Sequence, residues 1–244
     1  MPQVSMPWGR MAYLDANPEG HPVIFLHGTG CDSEDWQGVV AQCPPTVRPV
    51  RPEFRGHGRS DVPPEGFTIE DLVLDVIALL DHLDLARVLL AGHSLGGMAA
   101  MGVAARSPRV AGCVLLEGWT SLVAARAFPK GRYHGGLSEQ IVRQITDKSR
   151  RTTERFRGAA WSRFWESVEA FDGSDFLRET QIPVVAVFGG MGSDGVGRER
   201  LLLPDRPNIS LRWAPGCGHY LPQEAPDLVA EICTEAVRRL AEDR

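Results

Sequence analysis

The stretch that decides the fold is Gly92-His93-Ser94-Leu95-Gly96-Gly97, which directly follows the apolar run of residues 88–91. It matches the pattern G-x-S-x-G between a buried strand and a helix, where a sharp turn exposes the serine hydroxyl. Side chains at positions 92 and 96 would collide with the neighbouring helix and strand, so both positions require glycine. The pattern predicts that Ser94 is a nucleophile and that the N–H of Leu95 faces a developing oxyanion.

Short apolar runs recur along the chain on both sides of this turn. Runs of four or five residues, each bounded by turn residues, indicate strands that are buried on both faces of a parallel sheet. The clearest are residues 23–26, 88–91, 113–116 and 184–188. Weaker candidates are residues 46–54, which Pro49 and Pro52 interrupt, Ile209–Ala214 near an edge, and an antiparallel hairpin of residues 4–6 and 10–15.

Helical patterns separate these runs, at residues 69–83, 98–106 and 228–240. Strands that alternate with helices predict an α/β fold, with a mostly parallel central sheet and helices on both faces. Residues 119–180 contain no apolar strand run and hold helical segments at 139–157 and 159–171. We therefore predict a core domain of residues 1–118 and 181–244 and a small helical insertion, the cap segment, of residues 119–180.

Composition and charge exclude several classes of protein. Of the 244 residues, 43% are hydrophobic and 23% are charged, which is typical of a globular domain and not of a disordered chain. The net charge of −5 argues against nucleic-acid binding. Five widely spaced cysteines predict neither a disulfide framework nor a metal site. Without an apolar leader or a run of ~20 apolar residues, we expect a soluble, cytoplasmic protein.

A second loop offers the other half of an oxyanion hole. The sequence His27-Gly28-Thr29-Gly30 directly follows the predicted strand at residues 23–26. Acyl transfer needs a second backbone N–H from a neighbouring strand end, and Thr29 is the best candidate for that donor. We interpret His27 as a residue that fixes the loop backbone.

In combination, these motifs resemble those of the α/β-hydrolase family. The motifs that carry the resemblance are at residues 27–30, 53–60, 92–97, 216–219 and 224–226, and the resemblance runs through the chain except the cap segment. The family usually has Asp where this chain has Glu53, a change that we regard as conservative. The resemblance implies a Ser–acid–His triad in that chain order, and a helical cap between the sixth and seventh strands.

His219 is the predicted general base among seven histidines. It lies on a glycine-rich loop after the last predicted strand, at a carboxyl end, where open α/β sheets place ligands. The other six lie in backbone-shaping motifs (His27, His57, His93) or in loop and exposed helical contexts (His21, His82, His134).

Two carboxylates are candidates for the acid that orients His219. Asp194 follows the glycine-rich run after residues 184–188, where the family commonly carries the acid, and Glu117 ends the run at 113–116, which some members use instead. We favour Asp194, because the glycines around it give the loop freedom to fold inward, and we keep Glu117 as the alternative. The chosen carboxylate would fix the His219 tautomer that accepts the Ser94 proton.

The sequence thus predicts a serine hydrolase that cleaves a small ester, thioester or lactone-like substrate through an acyl-enzyme on Ser94, without cofactor or metal. Enol-lactonase, carbon–carbon hydrolase and cofactor-free perhydrolase chemistry stay open on the same triad. A non-catalytic ligand receptor on the same fold also stays open. We expect a small-molecule substrate and no nucleic-acid or membrane partner, and leave homo-oligomer formation open. Basic residues of the cap segment, such as Arg143 and Lys148, are interpreted as a solvated helix face.

Overall fold

A computed structural model describes residues 1–156 and 159–242 of the chain. The described residues contain one sheet, formed by β1 (Gln3–Met6), β2 (Gly9–Asp15), β3 (His21–Leu26), β4 (Val47–Pro52), β5 (Val88–His93), β6 (Val110–Leu116), β7 (Val184–Gly189) and β8 (Ile209–Ala214). Their spatial order is β1-β2-β4-β3-β5-β6-β7-β8. Strand β2 pairs antiparallel with β1 and β4, and the other neighbours pair in parallel. The predicted mostly parallel α/β sheet is confirmed.

Helices cover both faces of this sheet. They are α1 (Gln37–Gln42), α2 (Ile69–His82), α3 (Leu95–Ala104), α4 (Leu122–Ala125), α5 (Glu139–Arg155), α6 (Ala159–Ala170), α7 (Ser174–Glu179), α8 (Leu221–Glu224) and α9 (Pro226–Glu242). Ile24 and Leu26 of β3 belong to the core under α2 and α3, whereas Val23 and Phe25 belong to the core under α1 and α9. This division follows from the two-residue period of a strand. None of the helices within the described ranges is long and apolar enough to cross a membrane.

Strand β4 forms despite the two prolines that interrupt its sequence. It lies between β2 and β3, and Pro49 pairs in register with Val23 of β3. On its other side, β2 pairs only with residues 50–52 of β4. Pro49 thus lies beyond the stretch that β2 pairs with, which fits the rule that proline is tolerated where one side of a strand needs no ladder hydrogen bond.

The cap segment contributes helices α4 to α7, which lie between β6 and β7 in chain order. Helix α5 ends at Arg155, and Arg157, which the sequence pattern included in it, lies outside the described residues. The division of the chain into a core domain and a cap stays a prediction. What the fold provides is a helical layer next to the carboxyl ends of the strands.

Those carboxyl ends determine where the site lies. The last residues of β5, β6, β7 and β8 all lie at one edge of the sheet, because these four strands are parallel neighbours. The residues that follow them therefore meet at that edge, where α/β sheets bind their ligands.

Candidate active site

The turn after β5 has the strained geometry that the sequence predicted. Ser94 adopts φ 53° and ψ −115° and immediately precedes α3. A Cβ at Gly92 would lie 2.2 Å from the carbonyl oxygen of Gly96, and a Cβ at Gly96 would lie 2.1 Å from that of Leu26. No side chain fits at either position, so the close contact of strand, turn and helix depends on both glycines. A non-glycine residue at positive φ costs energy and often marks a functional site.

Ser94 and His219 line the same cavity, at the edge where the strands end. Ser94 extends the ladder between β5 and β6, because its N–H donates to the carbonyl of Leu116 at 2.9 Å. His219 follows β8 on the loop between β8 and α8. The two predicted residues, although 125 positions apart in the chain, are thus brought to one site.

Glu117 supplies the carboxylate that faces His219. It is fully buried and directly follows β6, and its Oε2 lies 3.3 Å from Nδ1 of His219. Its backbone has φ 50°, and its N–H continues the sheet by donating to the carbonyl of Val187 at 2.8 Å. The N–H of Gly189 donates to Oε1 at 2.7 Å. The left-handed backbone at the end of a buried strand directs this side chain across β7 towards the histidine loop.

The structure corrects the expectation that Asp194 orients His219. Within the described residues, Asp194 lies exposed on the loop after β7, and the carboxylate beside His219 is that of Glu117. The loop is attached to the end of β8, since the N–H of Gly190 donates to the carbonyl of Ala214 at 2.7 Å. A Cβ at Gly189 would lie 2.0 Å from the carbonyl oxygen of Gly218. Gly189 and Gly190 therefore allow tight backbone packing, and the glycines nearer Asp194 do not bring its carboxylate inward.

His219 is enclosed by aromatic rings. The ring of Tyr133 stacks on it at 4.4 Å between centroids, and the ring of Trp119 is parallel to it at 6.0 Å. Burial is the main cause that lowers the pKa of His219 to about 3, with smaller contributions in the same direction from Arg132 and His134. The imidazole is consequently neutral near pH 7, the form in which it can accept a proton.

Burial has the opposite effect on the carboxylate. It raises the pKa of Glu117 to about 7, against the lowering effects of the Arg132 charge and of the Gly189 N–H. Because Glu117 and His219 share a hydrogen bond, they titrate as a pair. The charge of this pair depends on Arg132, a residue that the sequence analysis did not single out.

The loop after β3, at residues 27–30, is held in place by the side chain of His27. Nε2 of His27 accepts the N–H of Phe54 at 3.0 Å, and its Nδ1 donates to the carbonyl of Gly28 at 2.8 Å. This imidazole therefore fixes the backbone on both sides, in agreement with the interpretation from sequence. Thr29 lines the cavity next to Ser94, and Leu95 begins α3, so its N–H is one of those without an intrahelical acceptor.

The cavity above Ser94 has a volume of about 290 Å³ and is mostly apolar. Its walls come from the core and from the cap segment. They are formed by Thr29, Ser94, Leu95, Met98, Trp119, Leu122, Ala125, Phe128, Pro129, Arg132, Tyr133, Trp165, Val168 and His219. The aromatic side chains of the cap segment thus contribute to this cavity as well as to the packing of the cap itself.

Lys148 departs from the interpretation of the cap's basic residues as a solvated face. It lies on α5, and its Nζ donates to Asp32 and to Asp35, each at 2.9 Å. All three side chains are mostly buried, with 21%, 13% and 11% exposed. Arg143, on the same helix, is exposed as expected and pairs only with Glu139 among the described residues. Sequence spacing contains no signal for this difference, because the partners of Lys148 lie in another element.

Comparison with known proteins identifies the family. A family model described as "Alpha/beta hydrolase family" matches residues 23–232. The chain belongs to the alpha/beta hydrolase family. This match confirms the predicted family and the predicted fold. It also confirms that the protein is a hydrolase, as a member of that family.

Curated relatives match only part of this α/β-hydrolase. A non-heme chloroperoxidase of Streptomyces lividans is 37% identical over 43% of this chain and 40% of its own length. A haloalkane dehalogenase of Mesorhizobium japonicum is 35% identical over 44% of this chain and 35% of its own length. The matched segments thus span little more than a third of these relatives.

Solved structures match over almost the whole chain. An N-acyl homoserine lactone degrading enzyme is 27% identical, with a TM-score of 0.71, over 96% of this chain and 99% of the other. The enol-lactonase from Burkholderia xenovorans LB400 has a TM-score of 0.76 at 20% identity, over 97% of this chain and 100% of the other. Because the enol-lactonase is only 20% identical to this chain, its likeness shows the fold alone.

Proposed function

We propose that this α/β-hydrolase cleaves a small carboxylic ester, thioester or lactone through an acyl-enzyme on Ser94, with His219 as the base and Glu117 as the acid. The observation that carries the proposal is the Glu117–His219 hydrogen bond beside the cavity that Ser94 lines at positive φ. A nucleophile, a base and a carboxylate that orients the base are the parts that acyl transfer requires.

The reaction proceeds in two halves. The Oγ of Ser94 attacks the carbonyl carbon while its proton passes to Nε2 of His219, and Glu117 stabilises the imidazolium that forms. The N–H groups of Leu95 and Thr29 hold the oxyanion. The tetrahedral intermediate expels the leaving group, which takes the proton from His219. Water then gives a proton to His219 and attacks the acyl carbon. The second tetrahedral intermediate expels Oγ of Ser94, which takes that proton back from His219 as the carboxylic acid leaves.

The cavity supports a small, apolar acyl group as the part of the substrate that is bound. Its volume of about 290 Å³ is near the lower end of the range for small-molecule sites, and side chains such as Met98, Leu122, Phe128 and Val168 line it. The solved relative that degrades N-acyl homoserine lactones supports the inclusion of lactones among the substrates. Ser94 argues against the chemistry of the dehalogenase relative, because displacement of a halide needs a carboxylate at the elbow.

The test measures hydrolysis of p-nitrophenyl esters of increasing acyl length and of small lactones. Ser94→Ala should lower kcat by about 10³-fold or more, because the covalent route is lost. The matched control, Ser5→Ala, replaces an exposed serine of β1 and should leave the rate unchanged. A fluorophosphonate should add to the peptide that carries Ser94. A wild-type chain that binds ligands but neither turns over nor labels would instead be a receptor.

A further inference from the structure

Arg132 connects the cap segment to the carboxylate beside His219. It ends the 3₁₀ turn Lys130–Arg132, and only 4% of its side chain is exposed. Its Nη2 donates to Oε2 of Glu117, and its Nη1 donates to the carbonyl of Gly189 at 3.0 Å. The guanidinium carbon lies 3.5 Å from the centre of the Phe128 ring. The planar group is thus held from three directions.

These contacts fix both oxygens of Glu117. Oε1 accepts the N–H of Gly189, and Oε2 accepts a hydrogen bond from Nη2 of Arg132 while it also lies against Nδ1 of His219. A fork-shaped guanidinium that bridges a carboxylate and a carbonyl sets an orientation, which a point charge would not. The carboxylate can therefore present Oε2 to the imidazole without searching other rotamers.

Arg132 also compensates the charge of a buried carboxylate. An ionised Glu117 without a partner in this buried position would take up a proton, because burial disfavours the charged form. Protonated Glu117 has no charge with which to stabilise an imidazolium. Arg132 supplies the only full positive charge in direct contact with Glu117 among the described residues near neutral pH, since His219 is then neutral.

The segment that carries Arg132 rests directly on the loop that carries His219. The N–H of His219 donates to the carbonyl of Tyr133 at 3.3 Å. A Cβ at Gly218 would lie 2.0 Å from the carbonyl oxygen of Arg132 and 2.7 Å from the nitrogen of Gly135. The backbone of the cap segment and the backbone of the histidine loop are therefore in contact, with no space for a side chain between them.

We propose that Arg132 is the positioning residue of the site: the cap segment, when docked on the histidine loop, places this guanidinium on Glu117 and so completes the acid–base pair. The inference rests on the proposed function, because it assigns Arg132 a role in the acyl-transfer step. The cap segment would then hold the acid of the site in place in addition to covering the cavity.

Removal of the Arg132 charge should move the acid-side fall in kcat/KM to higher pH. The pKa of Glu117 would rise, because Arg132 lowers it, and the pKa of His219 would also rise, because Arg132 lowers that as well. The titratable and charged groups that face the pair are Arg132, His93, His134, Tyr133, Tyr220 and Glu224. Burial raises the pKa of both tyrosines and lowers that of His93 to about 3, so these three stay neutral between pH 5 and pH 9.

The experiment compares kcat/KM between pH 5 and pH 9 for the wild type, Arg132→Met and Arg132→Lys. Arg132→Met should lower kcat by about 10²-fold with little change in KM, because Glu117 is no longer held in place. Its acid-side fall in kcat/KM should move to higher pH by about one unit or more, as expected when an opposite charge is removed at this distance. Arg132→Lys should return the fall to the wild-type pH but restore only part of kcat, because lysine cannot bridge both acceptors.

Two controls exclude other causes of the shift: the loss of any arginine from this segment, and a contribution from His134. Arg126→Met removes an exposed arginine of the same segment and should change neither kcat nor the pH profile. The same shift should be seen in a His134→Gln background, which removes that ring from the surroundings of His219. If Arg132→Met does not fold, Arg132→Gln is the second neutral variant, with the same expected shift. Folding is checked by circular dichroism in each case.

A folded neutral variant whose acid-side fall stays at the wild-type pH would overturn the inference. So would an Arg132→Lys variant whose profile follows that of Arg132→Met, because the charge would then have no role. Failure of the proposed function is seen separately, since a wild-type activity that does not depend on Ser94 would be evident before Arg132 is changed.

Discussion

At the scale of single residues, the direction of one side chain decides which carboxylate faces His219. Glu117 lies at the end of β6 with φ 50°, and this backbone directs its side chain towards His219. Asp194 has the loop freedom of several glycines, yet it is exposed to solvent. The short, buried connection thus places its carboxylate against His219, whereas the loop after β7 contributes backbone packing.

Substitution of the two acids should separate their roles. Glu117→Gln keeps the shape of the side chain but removes its charge, so kcat should fall by a large factor, up to about 10⁴-fold. Asp194→Asn should change kcat by less than about threefold, because exposed substitutions away from a site have small effects. Steady-state kinetics on the same ester measures both variants, and the opposite ranking would return the role to Asp194.

The pH profile of the Glu117→Gln variant provides a separate test of Glu117 as the acid. The wild-type kcat/KM should fall below about pH 7, since burial raises the pKa of Glu117 to about 7 and the working form has this carboxylate ionised. In the glutamine variant this fall should disappear, because the pKa of His219 is lowered to about 3. A residual rate that still falls near pH 7 would assign the titration to another group.

At the scale of elements, helix α5 packs against the loop of residues 27–30. Gly30, at φ 75°, would place a Cβ only 2.6 Å from Oγ of Ser149 on α5. The adjacent Lys148 pairs with Asp32 and Asp35, which follow this loop in the chain. The helix therefore holds the loop that contains Thr29 through a backbone contact and a mostly buried ion pair.

Lys148→Met should reduce the free energy of unfolding by about 1–3 kcal/mol, because it leaves two mostly buried carboxylates without their cation. Urea denaturation at pH 7 measures the change. Arg143→Met, on the same helix, is the matched control and should alter stability by less than about 0.5 kcal/mol, because its ion pair is exposed. Equal effects of the two substitutions would show that the Lys148 pair contributes no more than a surface pair.

At the scale of the whole molecule, buried histidines link stability to pH. Burial lowers the pKa of His27 to about 4, and those of His57, His93 and His219 to about 3 each. The unfolded chain protonates them near pH 6.5, so it binds more protons than the folded chain below that pH. The stability from these neutral histidines is complete above pH 6.5 and is lost as the pH falls towards 4.

We therefore expect the urea midpoint to decrease steadily from pH 7 to pH 5. Each buried histidine contributes about 1.4 kcal/mol per pH unit to this slope below pH 6.5. His57→Leu should flatten the slope by that amount, because His57 is buried beside Phe67 and Phe156 and no reaction step uses it. His82→Gln, at an exposed position of α2, should not change the slope. A wild-type midpoint that is constant over this range would contradict the expectation.

The local sequence pattern determined the fold and two residues of the candidate site, Ser94 and His219. The apolar runs bounded by glycine predicted the parallel strands, because a strand buried on both faces needs continuous apolar residues whatever its neighbours are. The turn at Ser94 was predictable for a similar reason, since the contact that excludes a Cβ at Gly92 comes from Gly96 within the same turn, although the contact that excludes a Cβ at Gly96 comes from Leu26 of β3. The weak strand β4 was less predictable, because Pro49 is tolerated there only through a register in which β2 pairs with residues 50–52 and not with Pro49.

Only the tertiary structure decided which side chains complete the site. Glu117, Arg132 and His219 lie in three separate segments, and Lys148 meets carboxylates 113 and 116 positions away. No local spacing encodes such contacts, because they depend on how the cap segment docks on the ends of β6, β7 and β8. Ser94 and His219 were predictable from their loops. The choice between Glu117 and Asp194 depended on the backbone angle at the end of β6 and on the packing of the loop after β7, and both arise from long-range contacts.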